Sequence, residues 1–347
     1  MHGLVVQPGT ANSTRVADVP EAKAGPNEVL LRILEVGVCG TDREISEGLY
    51  GTAPAAEQTL VIGHEMLAQV EQDGHGFSRG DHVTATVRRS CHHCIACNDG
   101  QPDSCLTGDY SERGIMRLDG FARELVAEDA SQLIPIPRSL GRLAVLAEPS
   151  SICARGIRHA RAIGNRQPWQ LQRALVVGAG AVGMLATFLL RLEGLEVWTA
   201  SLEPANELAE AIGAHYVSTN DTDLKELGGF DLVLECAGDA QAMADSLGLL
   251  RRSGVACLLG IDPRKQRVSI DGPTIGADAV LENRVLFGSV NAQRQDWLAA
   301  VDGLARAHER WPDELAQLVS LRVPLDRFAE AFAHKGGKAT LVLQSER

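Results

Sequence analysis

One stretch limits what this chain can fold into more than any other, the run Ala174 to Gly194, ALVVGAGAVGMLATFLLRLEG. It reads as a buried strand entering Gly178-Ala179-Gly180-Ala181-Val182-Gly183 and then an apolar helix. A bare G-x-G-x-x-G is a weak signal, but here an apolar strand precedes it, a helical run follows it, and a second strand, GLEVWTAS, comes next. Glycines at these positions let backbone N–H groups approach a pyrophosphate at the helix N-terminus. Its most apolar part, Ala174 to Leu190, is close to membrane length, yet three glycines and a threonine break it, so a strand, a turn and a helix explain it better than a span.

Further strands, DLVLECAG, GVACLLGI and RVLFGSVN, alternate with helical stretches and predict a doubly wound parallel-sheet α/β domain over residues 151–290. The part before residue 150 is rich in short strands and Gly/Pro turns and predicts a β-rich domain. A length of 347 residues suits two such domains. The net charge of −12, with no basic, aromatic-interleaved stretch, argues against a nucleic-acid binder or a membrane-surface protein and favours a small-molecule partner. The N-terminus, MHGLVVQPGTANSTR, lacks the charged start and apolar core of a signal peptide, which predicts a cytoplasmic protein.

Four of the eight cysteines fall within fifteen residues, Cys91, Cys94, Cys97 and Cys105, spaced C-x2-C-x2-C-x7-C. In a reducing compartment such a cluster is read as a metal site rather than as disulfides. Gly100 and Pro102 supply turns, and few apolar residues are present to build a core without an ion. Four thiolates around a tetrahedral zinc leave no open position, so this zinc is structural. A zinc ribbon for nucleic acid is the competing use, and the acidic chain disfavours it.

Upstream lie EVGVCGTDREI, with Cys39, Thr41 and Asp42, and VIGHEMLAQV, with His64 and Glu65; VLAEPSSICARGI, with Glu148, follows the four-cysteine lobe. Each residue alone is weak evidence, since single buried cysteines usually pack as small hydrophobes. In combination, Cys-Gly-Thr-Asp, Gly-His-Glu, Gly80-Asp81 and the lobe occur in an order and at intervals that resemble the zinc-dependent medium-chain alcohol dehydrogenases. Within them, VGVCGTDREI, GHE, RRSCHHC and MRLDGF look most like the glucose (aldose) 1-dehydrogenase branch.

The resemblance covers nearly the whole chain and implies a GroES-like catalytic domain, residues 1–150 and 291–347, with the active site in a cleft beside the Rossmann domain. It implies two zinc ions per chain, the catalytic one held by Cys39 and His64, with Glu148 as third ligand and Glu65 as a neighbour or exchanging ligand. Thr41 would hydrogen-bond the reacting hydroxyl and Glu44 would pass its proton to solvent. Glu112 and Asn291 match polar sugar contacts of the branch, whereas Val87 and Leu281 stand where relatives often carry asparagine and histidine. Those two departures count against glucose itself and favour a deoxy sugar, another epimer or a less polar alcohol.

The second strand of the nucleotide half ends at Thr199-Ala200-Ser201-Leu202-Glu203-Pro204; Ser201 stands where an aspartate for the adenosine ribose of NAD often lies, and Glu203 is two residues on, slightly beyond the usual distance. No Lys or Arg occurs from Ala200 to Gly213, and Glu203, Glu207 and Glu210 would repel a 2′-phosphate, so the cofactor is expected to be NAD, with NADP as the alternative. The function expected is zinc-dependent hydride transfer from a sugar hydroxyl, giving the lactone from an aldose. A polyol, threonine-type or secondary-metabolite dehydrogenase of the same superfamily is the alternative. From another class comes a non-catalytic nucleotide-binding zinc protein, against which the intact set Cys39, His64, Glu65 and Glu148 argues. Relatives of this kind imply a homodimer or homotetramer.

Overall fold

The computed structural model describes residues 1–264 and 266–344. It divides into two compact units. The first comprises Met1–Glu148, Asn291–Val301 and the chain from Val319 onward; the second comprises Pro149–Val290 and Asp302–Leu318. The sequence-based boundaries assigned everything after Asn291 to the catalytic domain, and residues 302–318 depart from that. The reason is packing: Trp311 meets Phe188 edge-on with ring centroids 5.8 Å apart, and Gly303 lies against Leu189. Residues 345–347 of the expected domain lie outside the described residues.

The first unit is built on a seven-stranded sheet. Its order is Leu133–Ile136, His82–Ala85, Glu65–Val70, Glu28–Val38, Lys338–Val342 and Val319–Pro324, and Leu125–Asp129 also pairs with Glu28–Val38. Most pairs are antiparallel, and Val319–Pro324 runs parallel to Lys338–Val342. The long strand Glu28–Val38 is buried over almost its whole length, with Leu31, Ile33 and Val36 packed on Met66, Val83 and Phe121. A charge survives in it because it is paired: Glu35 accepts from Arg142 at 3.1 Å, Arg322 at 2.9 Å and Thr340.

The second unit carries a six-stranded, fully parallel sheet ordered His215–Ser218, Glu196–Ser201, Arg173–Val177, Phe230–Glu235, Leu250–Leu258 and Val285–Gly288. In chain sequence this is third, second, first, fourth, fifth, sixth, the doubly wound order with its switch point beside Arg173–Val177. Continuous burial of Phe230–Glu235 accounts for the unbroken apolar run, since strands covered on both faces do not alternate. The glycine-rich turn joins Arg173–Val177 to the helix Ala181–Leu192, whose N-cap is Gly180. A Cβ on Gly183 would lie 1.8 Å from the Gly178 carbonyl oxygen, so helix and turn can meet this closely only through glycine.

Candidate active site and metal centres

The four-cysteine lobe folds as a short helix, Ile95–Asn98, followed by the turn Pro102–Ser104. The four Sγ atoms lie within 4.8 Å of one another, and Cys94 and Cys105 are 3.9 Å apart. That is too long for a disulfide and close to the roughly 3.8 Å edge of a tetrahedron with Zn–S bonds near 2.3 Å. Backbone N–H groups of Cys91 and Cys97 donate to the sulfurs of Cys97 and Cys94, each at 3.4 Å. Such donors favour thiolates, so the lobe fits a zinc ion.

The second cluster is gathered from separate elements. Cys39 caps the helix Gly40–Ser46, and Asp42 in its first turn accepts from the Cys39 backbone N–H at 2.9 Å. Asp42 Oδ1 also lies 3.5 Å from His64 Nδ1, a long contact that aims the other ring nitrogen at Cys39, with Nε2 3.2 Å from the sulfur. Glu65 opens the strand Glu65–Val70 opposite Gly37. A Cβ on Gly37 would fall 2.0 Å from Glu65 Oε2, so the carboxylate occupies space that only glycine leaves.

Donor atoms of Cys39, His64 and Glu65 all lie within 4.8 Å of one another. Glu65 Oε1 accepts from the buried Lys338 Nζ at 2.6 Å, while Oε2 is buried without a hydrogen-bond partner among the described residues. One thiol, one imidazole and one carboxylate with an uncommitted oxygen form a donor set that fits zinc and leaves a coordination position open. Glu148, at the start of the helix Ala147–Gly164, is buried but does not fall within that 4.8 Å set.

The electrostatics suit a cation. Burial pushes the Cys39 thiol up against the pull of His64. His64 itself, which burial would lower, is raised well above its ordinary value by Cys39 and Asp42. Burial likewise pushes the Glu148 carboxyl up to about 7, opposed by His64 and reinforced by Glu65. A divalent ion would supply the positive charge that favours the ionised forms of the Cys39 thiol and the Glu148 carboxyl.

Thr41 sits half-buried in the helix turn after Cys39, and Glu44, half-buried one turn on, is raised by burial and by Glu47. Glu112 and Asn291 meet directly, Asn291 Nδ2 donating to Glu112 Oε1 at 2.9 Å. Val87 is buried, and Leu281 is exposed on a short helix of the second unit. In that unit Ser201 ends its strand with its hydroxyl donating to the Glu203 carboxylate and lying 2.7 Å from Tyr216 Oη, which donates to the Glu203 carbonyl at 2.6 Å. Two partners escaped the sequence analysis. Lys338 gave no local signal beyond a lone lysine opening an apolar strand, and Tyr216 lies fifteen residues from the serine it meets.

An open metal centre in one unit and a dinucleotide turn in the other define a class, the zinc-dependent medium-chain dehydrogenases. The family model for the glucose dehydrogenase C-terminus matches residues 141–344, and that for the alcohol dehydrogenase GroES-like domain matches residues 25–138. Glucose 1-dehydrogenase of Methanocella arvoryzae is 40% identical over 350 residues, 97% of each chain, and that of Thermoproteus tenax is 38% identical over 99% of each. Glucose dehydrogenase of Haloferax mediterranei, solved with NADP, zinc and gluconolactone, is similar at a TM-score of 0.90 and 28% identity, covering 99% of this chain and 100% of that one. The chain belongs to the glucose dehydrogenase family of that superfamily. Among the described residues no helix is long and apolar enough to cross a membrane.

Proposed function

We propose that the chain is a zinc-dependent, NAD-preferring dehydrogenase that oxidises the hemiacetal hydroxyl of an aldose to the lactone. The observation that carries this is the set of half-buried Cys39 with buried His64 and Glu65, Glu65 Oε2 being uncommitted. When bound, zinc supplies the Lewis acidity that makes a coordinated hydroxyl acidic, and the nicotinamide supplies the hydride acceptor. Cys39, His64 and Glu65 hold the ion, Asp42 orients His64, and Glu148 stands by as an exchanging ligand. Thr41 accepts the hydroxyl proton's hydrogen bond, and Glu44 hands the proton on to solvent.

Gly178, Gly180, Ala181, Val182 and Gly183 form the pyrophosphate turn, with backbone N–H groups at a helix N-terminus. Ser201 and Glu203 receive the adenosine ribose. Support for NAD comes from the Glu203 carboxylate, tied to Ser201 and flanked by no Lys or Arg between Ala200 and Gly213. Glu112 and Asn291 contact the sugar, and buried Val87 disfavours one ring hydroxyl. A cytoplasmic homo-oligomer completes the reading, supported by the edge strand Val285–Gly288 with its exposed Leu286.

The test is reduced-nicotinamide formation by zinc-loaded protein against aldoses, deoxy sugars, polyols and secondary alcohols, with NAD and NADP in parallel. Aldose turnover that is faster with NAD is expected. Activity confined to non-sugar alcohols would overturn the substrate class, and a preference for NADP would overturn the role given to Glu203.

A further inference from the structure

Outside the metal cluster, two donors converge on one oxygen of Glu112. This residue is buried on the strand Ser111–Arg113, directly across from Arg88 on Arg88–Arg89. Glu112 Oε1 accepts from Arg88 Nε at 3.0 Å and from Asn291 Nδ2 at 2.9 Å. Asn291 is itself fixed, its Oδ1 accepting from the Ala292 N–H at 2.9 Å. Arg88 is buried as well: its guanidinium carbon lies 3.9 Å from the centroid of the Tyr110 ring, and Nη1 donates at 2.8 Å to the carbonyl of Asp103 in the four-cysteine lobe. Glu112 Oε2 has no donor among the described residues.

We infer that Arg88 is a positioning residue for sugar recognition: together with Asn291 it holds Oε1 of Glu112, leaving Oε2 as a fixed acceptor for one ring hydroxyl. This rests on the sugar reading above. A buried acceptor favours substrates that bring a donor and rejects those that leave it unpaired. Arginine suits the task because its planar fork reaches Glu112 through Nε and the Asp103 carbonyl through Nη1 at once, from two nitrogens held in a fixed geometry, whereas a lysine would have to serve both from one point. The link to Asp103 makes the four-cysteine lobe a support for the substrate pocket as well as for itself.

The experiment is steady-state kinetics of zinc-loaded wild type, Arg88→Lys and Arg88→Leu with glucose, galactose and xylose and their 2-deoxy and 3-deoxy analogues. Both variants should raise the KM for the best aldose about ten- to a hundredfold, with kcat changed less than about threefold and the cofactor KM unchanged. The wild-type preference for that aldose over one of its deoxy analogues should collapse, and Arg88→Lys should not restore it. Adding Glu112→Gln to Arg88→Leu should cost little more than either change alone. An unchanged aldose KM, or a fall in kcat and zinc content together with a rise in cofactor KM, would overturn the inference. If Arg88→Leu does not fold, Arg88→Lys, which keeps the charge, decides by the same criteria. Wild-type protein that turns over no aldose would remove the sugar reading and this inference with it; aldose turnover that ignores Arg88 would remove the inference alone.

Discussion

Cys91, Cys94, Cys97 and Cys105 come from fifteen consecutive residues and use one residue type, whereas Cys39, His64 and Glu65 use three types and depend on Asp42 and on Lys338, which lies 273 positions from the carboxylate it holds. The first cluster saturates a tetrahedral ion and needs only a short turn around it. The second stops at three donors and keeps a carboxylate oxygen uncommitted. Saturation suits a structural role and incompleteness suits chemistry, so equivalent damage to the two should have different consequences. In Cys39→Ala, kcat should fall about 10³-fold while the melting temperature changes little. In Cys97→Ala, bound zinc should fall from about two to about one per chain and the melting temperature should drop. Metal analysis, calorimetry and turnover measured on the same preparations check this. A large stability loss in Cys39→Ala, together with lost activity and an unchanged melting temperature in Cys97→Ala, would exchange the two roles.

A smaller effect sharpens the comparison from the side of the support. Lys338 and Glu65 are both buried, and burial, which would lower the lysine, is outweighed by Glu65 and Cys39, so the lysine stays cationic. Lys338→Met strands the Glu65 carboxylate without its counter-charge and should destabilise the metal-free protein by about 3–5 kcal/mol. Zinc should recover part of that loss, since the ion is a second counter-charge for the same group. Urea denaturation with and without zinc measures both quantities. An equal loss in the two states would mean that the lysine serves the sheet and not the metal centre. Lys338→Met should leave the zinc of the four-cysteine cluster in place, since Lys338 pairs with Glu65 and not with those cysteines.

The same contrast explains what the sequence makes legible. The lobe is readable because its ligands, turns and lack of a core lie within one short window. The glycine turn is readable for a similar reason, its strand, glycines and helix being contiguous. The parallel sheet followed from apolar runs that alternate with helices, although Cys236 lies just past the strand Phe230–Glu235 instead of within it. The metal triad is different: residue types and a family likeness suggested it, but only the fold decides which carboxylate joins Cys39 and His64. The antiparallel pairing of Glu65 with Gly37 brings Glu65 into the set, and Glu148 remains buried nearby. Lys338 and Arg88 were illegible because their partners arrive through sheet pairing and long-range contact, which no local pattern records. Residues 302–318 were misassigned because aromatic packing, not chain order, sets the unit to which a segment belongs.

The smallest predicted effect concerns the exit of the proton from the open cluster, a path the saturated one does not need. Burial, with Glu47 adding to it, raises Glu44 above the ordinary carboxylate range. A group that receives a proton during oxidation must be ionised, so rate is lost as pH falls through its pKa and is fully present above it. Because that pKa is raised, the loss begins at a higher pH than an unperturbed glutamate would give. Glu44→Gln cannot ionise, so the acidic limb attributed to Glu44 should vanish from the kcat profile and the plateau rate should fall about tenfold, provided no other group takes over the relay. Zinc content should stay at about two per chain, because Glu44 is not among the clustered donors. A pH profile of the same shape in Glu44→Gln would show that the proton leaves by another route, and the open centre would then resemble the lobe in needing no acid–base partner beyond its first helix turn.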